Sequence, residues 1–129
     1  MILLSKNTTN IVALTLTEKS QLASPYWIIE FKPDLLDAPA HIVVAPDDSP
    51  FPRRWNRLTL IDTDVTGGPD PFVGEIDLPT GWGTYRVYES MIPTVDIQQT
   101  TERIIEEGKY YVEEFPIPFN TNQITNVYL

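Results

Sequence analysis

Leu78-Pro79-Thr80-Gly81-Trp82-Gly83-Thr84-Tyr85-Arg86-Val87-Tyr88-Glu89 decides how the rest of the chain reads. From Gly83 onward the residues alternate. Tyr85 and Val87 point one way and Arg86 and Tyr88 the other, which is the period of a half-buried strand. The Pro-Thr-Gly-Trp-Gly segment before it has the composition of a corner where the chain leaves one strand and enters the next.

On the N-terminal side, residues 72–78 lead into the corner, with Phe72, Gly74, Ile76 and Leu78 on the inward face. Further upstream, residues 10–16, 26–31, 41–45 and 57–61 read as strands, and residues 1–4 as a short edge strand. Val12, Leu14 and Leu16 share one face of the first of these, Trp27, Ile29 and Phe31 one face of the second. On the C-terminal side, residues 101–107 read either as a capped helical turn or as a strand entering a hairpin at Glu107-Gly108-Lys109. The strand-like Tyr110-Tyr111-Val112-Glu113-Glu114 that follows favours the hairpin. From Phe115 the pattern changes, because Pro116 and Pro118 forbid a central strand.

Seven or eight short strands at regular spacing predict an all-β, antiparallel β-sandwich over residues 1–114, followed by an extended C-terminal tail over residues 115–129. Leu78, a glycine turn and then Gly83-x-Tyr85-x-Val87 resemble the tyrosine corner of immunoglobulin-like sandwiches, whose phenol oxygen bonds back to the backbone upstream.

The totals agree. At 129 residues and 42 % hydrophobic residues the chain is long and apolar enough for one core. Twelve prolines cut it into short pieces. It has no cysteine, so neither a disulfide scaffold nor a thiolate-ligated metal is available. A net charge of −9 argues against nucleic acid as a partner, since phosphate binding needs a basic stripe. No apolar run approaches the roughly 20 residues that span a bilayer, and the opening Met1-Ile2-Leu3-Leu4 is too short for a signal peptide. The expectation is a protein made in the cytosol, with no membrane partner.

His41 is the single histidine, which leaves no histidine pair for a metal and no base–nucleophile set for catalysis. Asp47, Asp48, Asp62, Asp64 and Asp70 offer hard oxygen ligands, but no stretch has the spacing of a twelve-residue calcium loop. Glu102, Glu106, Glu107, Glu113 and Glu114 form an acidic run that reads as a solvated face. No catalytic residue, metal ligand or cofactor is expected.

Two segments remain as candidate partner interfaces. Phe51, Arg53, Arg54 and Trp55 lie on a proline-stiffened loop, and arginine and tryptophan are enriched where interfaces concentrate their energy. In the tail, Phe115, Ile117, Phe119, Ile124, Val127, Tyr128 and Leu129 are too many apolar groups for a solvated linker. They either lie back across their own sheet or dock on a neighbour.

Lys6-Asn7-Thr8-Thr9-Asn10-Ile11-Val12-Ala13-Leu14-Thr15-Leu16-Thr17-Glu18-Lys19-Ser20, then Ser24-Pro25-Tyr26-Trp27-Ile28-Ile29-Glu30-Phe31, resemble the small structural proteins of crAss-like and related tailed bacteriophages. So do Arg53-Arg54-Trp55-Asn56-Arg57-Leu58-Thr59-Leu60 and Gly83-Thr84-Tyr85-Arg86-Val87-Tyr88-Glu89. The resemblance covers residues 6–114. It departs at the short Gly67-Gly68-Pro69 loop and in the tail. It implies a non-enzymatic virion component with an immunoglobulin-like sandwich, an auxiliary or decoration protein on the capsid shell. Its partners would be the major capsid protein and other virion proteins, with self-association left open. A head-fibre, neck or tail adaptor is the alternative within that class. A carbohydrate-binding or adhesin module is the alternative outside it, which exposed aromatics at Trp55 and Trp82 would favour.

Overall fold

A computed structural model describes residues 1–23, 25–49, 55–65 and 67–114. Its strands are β1 (Ile2–Ser5), β2 (Thr9–Leu14), β3 (Tyr26–Pro33), β4 (His41–Ala45), β5 (Asn56–Asp62), β6 (Glu75–Ile76), β7 (Gly81–Ser90) and β8 (Ile104–Glu113). They form a curled five-stranded sheet in the order β1-β8-β7-β3-β4 and a three-stranded sheet in the order β2-β5-β6. Pairing is antiparallel except for β1 with β8 and β5 with the two-residue β6. The run β8-β7-β3-β4 is the G-F-C-C′ order of variable-type immunoglobulin sandwiches.

The alternation read from the sequence packs the two sheets together. Val12, Leu16, Trp27, Ile29, Phe31, Leu58, Leu60, Leu78, Tyr85 and Val87 are buried in one core between them. Full burial of each large aliphatic or aromatic side chain contributes roughly 1.5–3 kcal/mol. Val87, two residues past Tyr85, stands where immunoglobulin domains carry their second cysteine. Here no disulfide joins the sheets, and Trp27 packs in the same apolar cluster.

Four local expectations are corrected. Pro71–Val73 is a 3-10 turn with Asp70 accepting from Phe72 N at 3.0 Å, so Phe72 faces solvent rather than the core. β7 begins at Gly81, so the glycine-rich corner is already strand, and Trp82 is a strand residue. β8 runs unbroken through Gly108, which lies opposite Tyr85, with no hairpin at 107–109. The glycine is there because a Cβ would lie 3.0 Å from Tyr85 Cε1. Finally, Tyr85 Oη donates to Glu106 Oε2 of β8 at 3.2 Å, so the phenol is anchored across the sheet and not to the upstream backbone.

The outer face of the large sheet is not all solvated. Ile28, Val44 and Tyr88 form a second apolar cluster, with Ile42 and Ile97 packed against it. The connection from β7 to β8, with its 3-10 turn at Ile97–Gln99, folds over this end of the sheet. Its return is pinned by a buried carboxylate. Glu89 is fully buried, pairs with Arg103, and accepts from Ser20 Oγ at 2.5 Å and Gln21 N at 3.2 Å. An unpaired charge at such a depth would cost several kcal/mol, so these three donors are what make Glu89 tolerable.

Candidate partner-binding surface

Strand register writes the outer face of the five-stranded sheet as a series of rows. Leu3 of β1, Tyr111 of β8 and Trp82 of β7 are directly opposed. The next rows are polar: Lys109, Thr84 and Lys32, then Glu107, Arg86 and Glu30. Beyond them comes the apolar row of Tyr88, Ile28 and Val44 that the β7–β8 connection covers. The first row has no such cover among the described residues. Leu3 is 55 % and Trp82 52 % exposed.

The uncovered row is held in place. The rings of Trp82 and Tyr111 sit 5.0 Å apart at 57°. Trp82 O accepts from Asp34 N at 3.0 Å, which ties the row to the loop after β3. That loop exposes Leu35 and Leu36. Isolated exposed apolar residues are ordinary, and an aligned set on a rigid sheet is what makes this face the candidate surface. Beside the row, Glu30, Lys32, Ala40, Thr84 and Arg86 line a shallow groove. Arg86 pairs with Glu107 at 3.2 Å and Lys109 with Asp34 at 3.2 Å, so its rim carries both signs of charge.

The interface residues expected from the sequence divide differently. Trp55 is half-buried just before β5. Phe51, Arg53, Arg54 and the tail residues Phe115, Ile117, Phe119, Ile124, Val127, Tyr128 and Leu129 lie outside the described residues. Sequence reading singled out Trp82 but placed it in a turn. The signal that locates it is the parity of β7, which extends back through Thr84 to Trp82.

Asp47 and Asp62 are engaged by the protein's own donors. Asp47 accepts from Asn56 Nδ2 at 2.7 Å, Ser49 N at 3.0 Å and Trp27 Nε1 at 3.3 Å. Burial works to raise its pKa, and these donors outweigh it and hold the carboxyl below the ordinary value. Asp62 pairs with Lys6 at 2.9 Å and accepts from Asn7 N at 3.0 Å. Lys6 also reaches Asp77 at 2.8 Å and Leu78 O at 2.7 Å, so one lysine ties the β1–β2 turn to β5 and to the approach to β7. No group of three His, Asp or Glu among the described residues is arranged to hold a metal. His41 is lowered from the ordinary histidine value, by burial first, with Asp77 opposing, so it is neutral at pH 7. No helix among the described residues is long and apolar enough to cross a membrane. No family model, curated protein or solved structure matches the chain.

Proposed function

We propose that the protein is a non-enzymatic structural component of a tailed-bacteriophage virion, an auxiliary or decoration protein seated on the capsid shell. The observation that carries this reading is the row Leu3–Tyr111–Trp82: three side chains aligned on the outer face of a stiff sheet, with Leu3 and Trp82 exposed and Tyr111 half-buried between them. The resemblance of residues 6–114 to small phage structural proteins supports the class. Docking the row on a subunit of the shell would bury its apolar surface. Each contact is modest, and a lattice of identical sites multiplies it, because each further contact becomes intramolecular. The acidic surface keeps unbound copies apart. A head-fibre, neck or tail adaptor would use the same row on a different neighbour.

The test is incorporation. Purified particles of the encoding phage should contain the chain in many copies, and a Trp82→Ala, Leu3→Ser double variant that folds normally should be depleted from them. Particles that lack the wild-type chain, or that take up the double variant fully, overturn the reading.

One observation favours a carbohydrate-binding module instead. Trp82 and Tyr111 stand beside the groove lined by Lys32, Thr84 and Arg86, where a sugar ring could stack and its hydroxyls find donors. Saccharide binding on a glycan array that is lost in Trp82→Ala would establish that reading in place of the structural one.

A further inference from the structure

The smaller sheet ends on an open strand edge. β2 pairs with β5 on one side and has no ladder partner on the other among the described residues. Register and hydrogen bonds say which backbone groups face outward. Thr8 O accepts from Asp62 N at 3.0 Å, while Thr59 N and Ile61 N turn away from β2, to Pro46 O at 3.1 Å and Gly74 O at 2.8 Å. The pairs that bond across β2 and β5 are therefore Asn10–Leu60 and Val12–Leu58. The N–H and C=O groups of Thr9, Ile11 and Ala13 point out of the sheet edge, and their side chains are exposed on its outer face. Ile11 is 58 % exposed.

The edge lacks the usual protections. β2 has no charge, no proline and no bulge, and such an edge is a template for another strand. Charge says which strand. The chain carries 18 acidic and 9 basic side chains, so two copies repel wherever their acidic surfaces meet. From Asn7 to Thr17 there is no charged side chain. Along this edge one copy can approach another without setting like charges opposite each other. The backbone groups also match themselves. In an antiparallel pair related by a two-fold axis at Ile11, Ile11 faces Ile11 of the other copy and Thr9 faces its Ala13. All three outward residues then meet outward residues, and each facing pair exchanges both backbone hydrogen bonds. A one-residue shift would set outward groups against inward ones.

We infer that a second copy of this chain adds to the edge of β2, joining the two smaller sheets into one across a two-fold axis at Ile11. The open backbone groups gain partners, and the two Ile11 side chains cover each other. Contact along one short strand is a small interface, of the weak, exchanging class. The pair keeps both Leu3–Tyr111–Trp82 rows uncovered on the opposite sheets, so the inference goes beyond the proposed function and stands or falls independently of it.

The full chain has no cysteine, which makes the register testable. Thr9→Cys and Ala13→Cys proteins are prepared separately and oxidised mildly, alone and mixed. Facing residues of such a pair stand about 5.5 Å apart at Cα, within disulfide range. The mixture should give a cross-linked dimer, and so should Ile11→Cys alone. Thr9→Cys alone and Ala13→Cys alone should not, because each stands opposite a different residue. Sedimentation of the wild-type chain at up to about 1 mM should show monomer and dimer in exchange. Ile11→Lys, with unchanged circular dichroism, should sediment as a monomer. A wild type that stays monomeric over that range, a mixture that cross-links no more than its components, or an Ile11→Lys protein that still pairs would overturn the inference. So would slow amide exchange at residues 9, 11 and 13 in a monomer, which would give the edge to another occupant.

Discussion

The ring of Tyr110 lies on the Cα of Gly83. The two residues are direct partners across β7 and β8, and a Cβ built on Gly83 would lie 2.3 Å from Tyr110 Cζ and 2.4 Å from its Oη. Tyr110 cannot withdraw, because Phe31 meets it edge-on at 5.2 Å and 89°. Gly83→Ala should therefore overpack the core and cost about 3 kcal/mol or more, a Tm loss of roughly 10 °C. Gly108→Ala, which meets the edge of Tyr85 at 3.0 Å, should cost less. Thermal unfolding of the two variants checks the order. Equal and small losses would mean that the rings move aside.

The two tyrosines of these pairs also set the alkaline limit of the fold. Burial pushes Tyr85 up to about 12, with the nearby Glu106 carboxylate adding to it, and burial with the more distant Asp34 does the same for Tyr110. Both pKa values are raised above the ordinary 10.0, so the folded state holds protons that the unfolded chain releases. Their contribution is complete below pH 10 and is lost as the pH rises towards 12. Urea midpoints should be flat from pH 8 to 9.5 and then fall steeply, and tyrosinate absorbance should show two residues ionising only with unfolding. Tyr110 Oη is buried with no hydrogen-bond partner among the described residues. Tyr110→Phe should therefore leave neutral-pH stability unchanged or raise it by about 1 kcal/mol, and should flatten the alkaline loss.

The strand set was legible because period-two alternation is a local property, and it puts Trp27, Ile29 and Phe31 on one face, and Tyr85 and Val87 on one face, without reference to any partner. Where reading failed, a non-local partner decided the outcome. Gly108 reads as a turn glycine until Tyr85 is known to lie across from it. Ile28 and Tyr88 read as outward residues until the β7–β8 connection is folded over them. The parity that puts Tyr85 and Val87 inside also puts Glu89 inside, but a buried carboxylate is improbable until Arg103 and the amides near Ser20 are brought to it. The sequence marks Trp82 by residue type alone. Its alignment with Leu3 and Tyr111 exists only once β1 joins the sheet in parallel, a pairing that no sequence pattern encodes.

Removal of either side of the buried ion pair should be costly. Glu89 has no exposed surface, and Arg103 reaches it from the end of the strap over Ile28 and Tyr88. Arg103→Ala leaves the carboxylate with hydroxyl and amide donors alone, and should cost about 3 kcal/mol. The exposed Lys109–Asp34 pair is the contrast, and Asp34→Asn should change stability by less than about 0.5 kcal/mol. Hydrogen exchange should localise the Arg103→Ala defect to residues 91–103. A uniform loss over the whole sandwich would mean that the strap is not a separable unit.

The Leu3–Tyr111–Trp82 row should be dispensable for folding. Trp82 keeps 52 % of its surface exposed and stacks on Tyr111, so Trp82→Ala should change stability by no more than about 1 kcal/mol, an exposed aromatic pair being worth about that much. Trp27, by contrast, is 3 % exposed and donates to Asp47, and Trp27→Ala should cost about 3–5 kcal/mol. Fluorescence separates the two, since Trp82 is the most exposed of the described tryptophans and the red-shifted share of the emission should shrink, leaving that of half-buried Trp55, in Trp82→Ala while the unfolding midpoint stays in place. If the midpoint instead collapses with Trp82→Ala, the row is part of the core rather than a surface held ready for a neighbour.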